Sequence, residues 1–95
     1  MNANNAKITM VGYIYDIRRR IGEKGEFYEI IIKSEGSKIK TCYVHNNYPV
    51  FDEIRLRIKN NENLIGARIS FDFRESTSAA TGMMHYHIIR LTLLN

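Results

Sequence analysis

Tyr13, Tyr15, Phe27 and Tyr43 stand in β-rich runs, with Arg18, Arg19, Arg20, Lys24, Lys33 and Lys40 distributed around them. Flat rings offer stacking surfaces, and cations between them can neutralise a line of negative charges. This is the chemistry of holding a planar-bearing polyanion, not of making or breaking bonds. His45, Arg74 and Tyr86 extend the set. Plainer readings stand beside it: rings can cover a barrel exterior or a subunit contact, and a charge run is usually a solvated face. The triple arginine exceeds the plain reading because it adjoins the turn Gly22-Glu23-Lys24-Gly25, whereas Arg55, Arg57 and Lys59 read as ordinary helix surface.

Other chemistries find little support. His85-x-His87 puts two imidazoles on one strand face, but no carboxylate or cysteine follows at metal-ligand spacing, so no metal is expected. There is no phosphate-cradling glycine loop, no nucleophile elbow and no acidic pair of two-metal type. Ser76, Thr77 and Ser78 read as loop residues. The expectation is a protein that is not an enzyme and carries no cofactor.

With 95 residues, 44% of them hydrophobic, the chain suits one domain with a thin core. Fourteen Lys and Arg against ten Asp and Glu give a net charge of +4, which favours polyanion partners. The one cysteine, Cys42, has no internal disulfide partner, and a reducing cytoplasm is the expected compartment. No apolar run approaches the roughly 20 residues of a membrane helix, and residues 1–6, polar and Asn-rich, read as a disordered start rather than a signal peptide.

Five strands and one helix must position these groups. Residues 7–21, KITMVGYIYDIRRRI, read as a long strand, with Gly12 as a bulge, a bend or merely a weak point. Residues 27–33 and 39–45 flank the turn Glu35-Gly36-Ser37-Lys38 as a hairpin. Pro49, the acids Asp52 and Glu53, and the four-residue spacing of Val50, Ile54 and Ile58 predict a helix over Pro49–Lys59, with Phe51 and Leu56 near its apolar stripe. Residues 54–58, IRLRI, also alternate with period two, which leaves a strand as the alternative there. Residues 67–74 place Ile69, Phe71 and Phe73 on one face and Arg68, Ser70, Asp72 and Arg74 on the other. Residues 76–82, STSAATG, form a loop before a last strand over 84–94.

Alternation then divides the sheet. Tyr28, Ile30, Ile32, Cys42 and Val44 fall on the core face. Phe27, Glu29, Ile31 and Lys33 lie opposite, beside Ile39, Thr41, Tyr43 and His45. On strand 1, Ile8, Met10, Gly12 and Ile14 read as inward and Thr9, Val11, Tyr13 and Tyr15 as outward; a register shift at Gly12 would exchange them.

The whole order, β-β-β-α-β-β, resembles the five-stranded barrel of the OB-fold single-stranded DNA-binding proteins, especially the small bacterial and phage group of the primosomal replication protein PriB. The resemblance spans residues 7–94 and rests on KITMVGYIYDIRRR with its internal glycine, Gly66-Ala67-Arg68-Ile69-Ser70-Phe71, STSAATG and HYHIIRLTLL. It implies an all-β fold with one short helix that binds single-stranded DNA with low sequence preference in replication or recombination, and the Asn, Lys and Ile bias of the composition suits a phage or mobile element. Single-stranded RNA is the alternative ligand, and a primase, polymerase or helicase the alternative partner. A homodimer or higher oligomer is expected, built through strand 1 or the last two strands. Two departures stand out: Trp is absent, so Tyr and Phe must stack, and no acidic C-terminal tail follows, which suits a compact accessory protein.

Overall fold

The computed structural model describes residues 7–34, 36 and 38–94, so the expectation of a disordered start over residues 1–6 lies outside the described residues. Strands β1 (Ile8–Gly22), β2 (Gly25–Ser34) and β3 (Ile39–His45) precede helix α1 (Pro49–Lys59), then β4 (Arg68–Thr77) and β5 (Met84–Leu94). They close a barrel in the order β1-β2-β3-β5-β4. The neighbours pair antiparallel except β3 and β5, which meet in parallel at Cys42 with Tyr86 and Tyr43 with His87.

Closure depends on β1, whose first part, from Ile8 to Tyr13, pairs with β4, while Gly12 onward pairs with β2. Gly12 sits where both partners converge, opposite Ser34 and Ile69. A Cβ there would lie 2.7 Å from Ile32 Cγ2 and 3.0 Å from the Lys33 carbonyl oxygen. Glycine is therefore required by close approach, and the register shift lies elsewhere, between Ile14 and Asp16. Tyr15 is the extra residue of that bulge. The strand then resumes with its alternation reversed, so Ile17 packs on the core and Arg18 points out.

The inward set is apolar throughout: Ile14, Ile30, Ile32, Val44, Ile69, Phe71, Phe73 and Ile88 are buried, along with Cys42. Burial pushes the Cys42 thiol up to about 12, too high for a reactive thiolate near neutral pH. Helix α1 packs against this core through Val50, Phe51 and Ile54, with the Phe51 ring 5.0 Å from that of Tyr28. Pro49 opens the helix where its missing N–H costs nothing, and Asp52 in the first turn with Arg57 and Lys59 in the last complements the helix dipole. The helix reading is borne out over the strand alternative. Its stripe is shorter than the spacing suggests, because Leu56 and Ile58 are exposed. Only the first half of α1 reaches the barrel, and Ile58 lies beyond it. Ile8, expected inward, is likewise exposed at the start of β1.

Beyond residue 74, β4 continues to Thr77, where Ser76 faces His85 and Thr77 faces Met84. The β4–β5 connection is therefore shorter than the run STSAATG: Ser78 N–H donates to the Met83 carbonyl (2.8 Å) and Gly82 N–H to the Ser78 carbonyl (2.8 Å).

Candidate nucleic-acid interface

The outward positions of β2, β3 and β5 form one strip. Pairing registers put Phe27 opposite His45, Glu29 opposite Tyr43 and Lys33 opposite Ile39, while β5 brings His87 beside Tyr43. Rings dominate one end of it. Phe27 lies 6.0 Å from Tyr43 and 6.1 Å from His45, Tyr43 lies 5.9 Å from His85, and His45 lies 5.0 Å from His87. Such tilted contacts at 5–6 Å hold the rings as a surface rather than as free rotors. Along β2, the six residue steps from Phe27 to Lys33 span about 20 Å at the strand rise.

Cations reach this strip from β1. After the bulge at Tyr15, Arg18 pairs with Glu29 and Arg20 with Phe27, so both stand on the ring-bearing face. Arg19 pairs with Tyr28 and belongs to the opposite side, where it meets Glu26. The three consecutive arginines are thus not one cluster. Arg18 Nε lies 2.9 Å from Asp16 and Arg20 Nη2 lies 3.4 Å from Glu29, exposed pairs of small net worth. Lys24 is exposed in the β1–β2 turn, Lys33 is exposed opposite Tyr13, and Arg74 is exposed opposite His87. None of these three has an ion-pair partner among the described residues.

Tyr13 and Tyr15 are outward, 45% and 61% exposed, at the Lys33 end and at the bulge. Both stay on the wet side, since the shift falls after Ile14 rather than at Gly12. Lys40 and Tyr86 depart from the expected grouping. Both fall in phase with the core set, Lys40 opposite Ile32 and Tyr86 beside Cys42, and Lys40 Nζ lies 4.2 Å from the Tyr86 ring centre and 4.8 Å from that of Phe73, close to Met10 Sδ. The ammonium is held over the ring faces of Phe73 and Tyr86 rather than projecting from the outward strip. A long stem lets a lysine leave the core in this way.

His85 and His87 join the strip more intimately than the sequence alone conveys. His45 Nε2 and His87 Nδ1 are 2.9 Å apart, and His87 Nε2 is 2.6 Å from Ser76 Oγ. Burial, then Lys24, holds the His45 ring below its ordinary value; burial, then His45 and His85, does the same to His87. The signal available in the sequence was His85-x-His87 facing a third histidine. What could not be read was the parallel β3–β5 contact that joins them. No group of three or more His, Cys, Asp or Glu among the described residues has a geometry suited to a metal ion.

A groove runs beside the histidines, between residues 22–27 and residues 46–48, lined by Lys24, Phe27, His45, Tyr48 and His87. Asn46 fixes its walls by donating from Nδ2 to the carbonyls of Lys24 (3.3 Å) and Glu26 (2.9 Å). A second cleft, between β3 and the β4–β5 connection, is lined by Lys40, Tyr43, Met83, His85 and Tyr86. The ring strip lies between the two.

A five-stranded barrel closed through a long, bent β1, with its helix between β3 and β4, is an OB fold. Solved structures agree. The chain is similar to two crystal structures of the mitochondrial single-stranded DNA-binding protein Rim1 from S. cerevisiae, with TM-scores of 0.71 and 0.70 over 94% of this chain and 95% and 93% of theirs. Sequence identity is 15% and 14%, so the likeness is one of fold. No protein-family model matches the chain, and no curated protein sequence matches it.

Proposed function

We propose that this chain is a non-enzymatic binder of single-stranded DNA with low sequence preference, acting in replication or recombination. Phe27 and Tyr43 supply base-stacking surfaces, and Lys24, Arg18, Arg20 and Lys33 neutralise the backbone. One observation carries the reading: outward positions that alternation would ordinarily leave polar hold a continuous set of rings across three strands. The solved structures with this fold are described as single-stranded DNA-binding proteins, which supports the same reading.

Salt titration of oligo-dT binding tests it. Affinity should fall as salt rises, with a log-log slope of about −0.7 per phosphate neutralised. Absence of binding, or affinity indifferent to salt, overturns the proposal. A parallel titration with oligo-U separates DNA from RNA preference.

Assembly through β1 belongs to the same proposal. Beyond Ile14, whose backbone still bonds to Gly66 and Ala67, β1 pairs only with β2 among the described residues, which leaves an edge open to a second copy. Light scattering on the full chain reads this directly, and a monomer at every concentration overturns it.

A further inference from the structure

The His45–His87 contact has an unusual proton inventory. Two neutral imidazoles carry two N–H groups between four nitrogens. One proton must bridge His45 Nε2 and His87 Nδ1 at 2.9 Å. The other is then either on His87 Nε2, donating to Ser76 Oγ, or on His45 Nδ1 while Ser76 O–H donates to His87 Nε2. Adding one proton fills both outer nitrogens and leaves the bridge intact. His87 Nε2–H still donates to Ser76, and His45 Nδ1 becomes a donor with no hydrogen-bond partner among the described residues. A second added proton would put hydrogens on both sides of the bridge and break it. The pair is built to accept one positive charge and to refuse two.

Both rings line the groove that also holds Lys24 and Phe27. We propose that the His45–His87 pair is a phosphate seat armed by the uptake of a single proton, its ligand a phosphodiester of a single-stranded nucleic acid entering this groove. The proposal rests on the nucleic-acid reading above.

Groups from every neighbouring element bear on that proton. From the β1–β2 turn and the start of β2, Lys24 opposes it while Glu23 and Glu26 favour it, although Glu26 is engaged by Arg19. From β3, Tyr43 is uncharged, as is Tyr48 after it. From β4, Arg74 stands opposite His87 in register, and Ser76 is neutral. From β5, the His85 ring lies 6.4 Å from that of His87. Burial and the neighbouring positive charge hold the two rings below their ordinary value, and an arriving phosphate works the other way by adding negative charge beside them.

The test uses the full chain and dye-labelled oligo-dT, with anisotropy read across a salt series at about pH 8 and about pH 5.5, either side of the ordinary histidine range. Acidification should tighten binding severalfold and steepen the salt slope by about 0.7, one further phosphate. His45→Gln and His87→Gln should lose the tightening and the added slope, and Arg55→Gln, on the exposed surface of α1, should keep both. Binding that is indifferent to pH, or tightening retained in both pair variants, overturns the proposal alone. No binding at either pH overturns the nucleic-acid reading and this seat with it. Should either variant unfold, histidine NMR of the unaltered protein decides. One proton shared between the two rings supports the seat, and two independent single-site titrations overturn it.

Discussion

The two faces of β2 and β3 use similar residue types to opposite ends. Tyr28, Ile30, Ile32, Cys42 and Val44 alternate with Phe27, Glu29, Ile31, Tyr43 and His45 along the same two strands. The inward set is at most 3% exposed and is packed on every side. The outward set has rings touching rings with water above them. Burial alone explains the first, since each large apolar side chain removed from water contributes roughly 1.5–3 kcal/mol. It does not explain the second. A half-exposed ring surface gains little for folding, so its content points to something that covers it.

If this contrast holds, mutations on the two faces should fail in different ways. Phe71→Ala, in the core beside Phe73 at 5.6 Å, should have the largest effect of all. A loss of about 3–5 kcal/mol is expected for deleting a buried phenyl ring. That is a large part of the stability of a domain this size, and the melting temperature should drop by well over 10 °C at about 4–8 °C per kcal/mol. A drop no larger than that of a surface mutation would break the contrast at its inner end.

Tyr43→Ala tests the outer end. Stacking losses of about 1–3 kcal/mol per base predict roughly five- to 150-fold weaker oligo-dT binding, with the melting temperature close to that of the unaltered protein. Phe27→Ala should behave alike. Unfolding without selective loss of binding would mean that these rings are structural after all.

How much of the two-face arrangement was legible depended on whether alternation ran unbroken. In β2, β3 and β4 it did, and the inward residues Ile30, Cys42, Phe71 and their neighbours are those expected from period two. In β1 it did not. The bulge falls at Tyr15, which no glycine marks, while the conspicuous Gly12 serves close approach instead. Alternation carried through the bulge would turn Arg19 to the ring side and Arg18 and Arg20 inward; the shift at Tyr15 reverses that, and the run of three is divided between two sides. Lys40 and Tyr86 were misplaced for another reason: an ammonium resting on ring faces leaves no trace in a polar/apolar pattern. The histidine pair depended on two strands 42 residues apart meeting in parallel, a contact set by closure of the whole barrel.

That division of the arginines yields a sharper and smaller prediction. Arg18→Gln should weaken oligo-dT binding a few-fold and make the salt slope shallower by about 0.7, the share of one phosphate on a single strand. Arg19→Gln, one residue along but on the other side of the sheet, should leave the slope unchanged. Equal effects from both would mean that the ligand wraps past the edge of β1, and the ring strip would no longer define the site.

The smallest effect concerns stability without ligand, and its sign follows from the histidines. His45 and His87 are both held below the ordinary value of 6.5, first of all by burial. The folded protein therefore binds protons less readily than the unfolded chain just below that value. Stability from these rings is fully present above pH 6.5 and declines as pH falls, levelling off only once the folded pair has itself taken up its proton. Between neutral pH and about pH 5 the melting temperature should drift down by a few degrees at most, since both rings are partly open to water. His87→Gln should flatten that drift, and saturating oligo-dT should oppose it, because a bound phosphate favours the same proton that folding resists. A melting temperature that rises on acidification without ligand would show that the outer strip stabilises the barrel in its charged form, and the contrast between a structural inner face and a ligand-awaiting outer one would lose its electrostatic half.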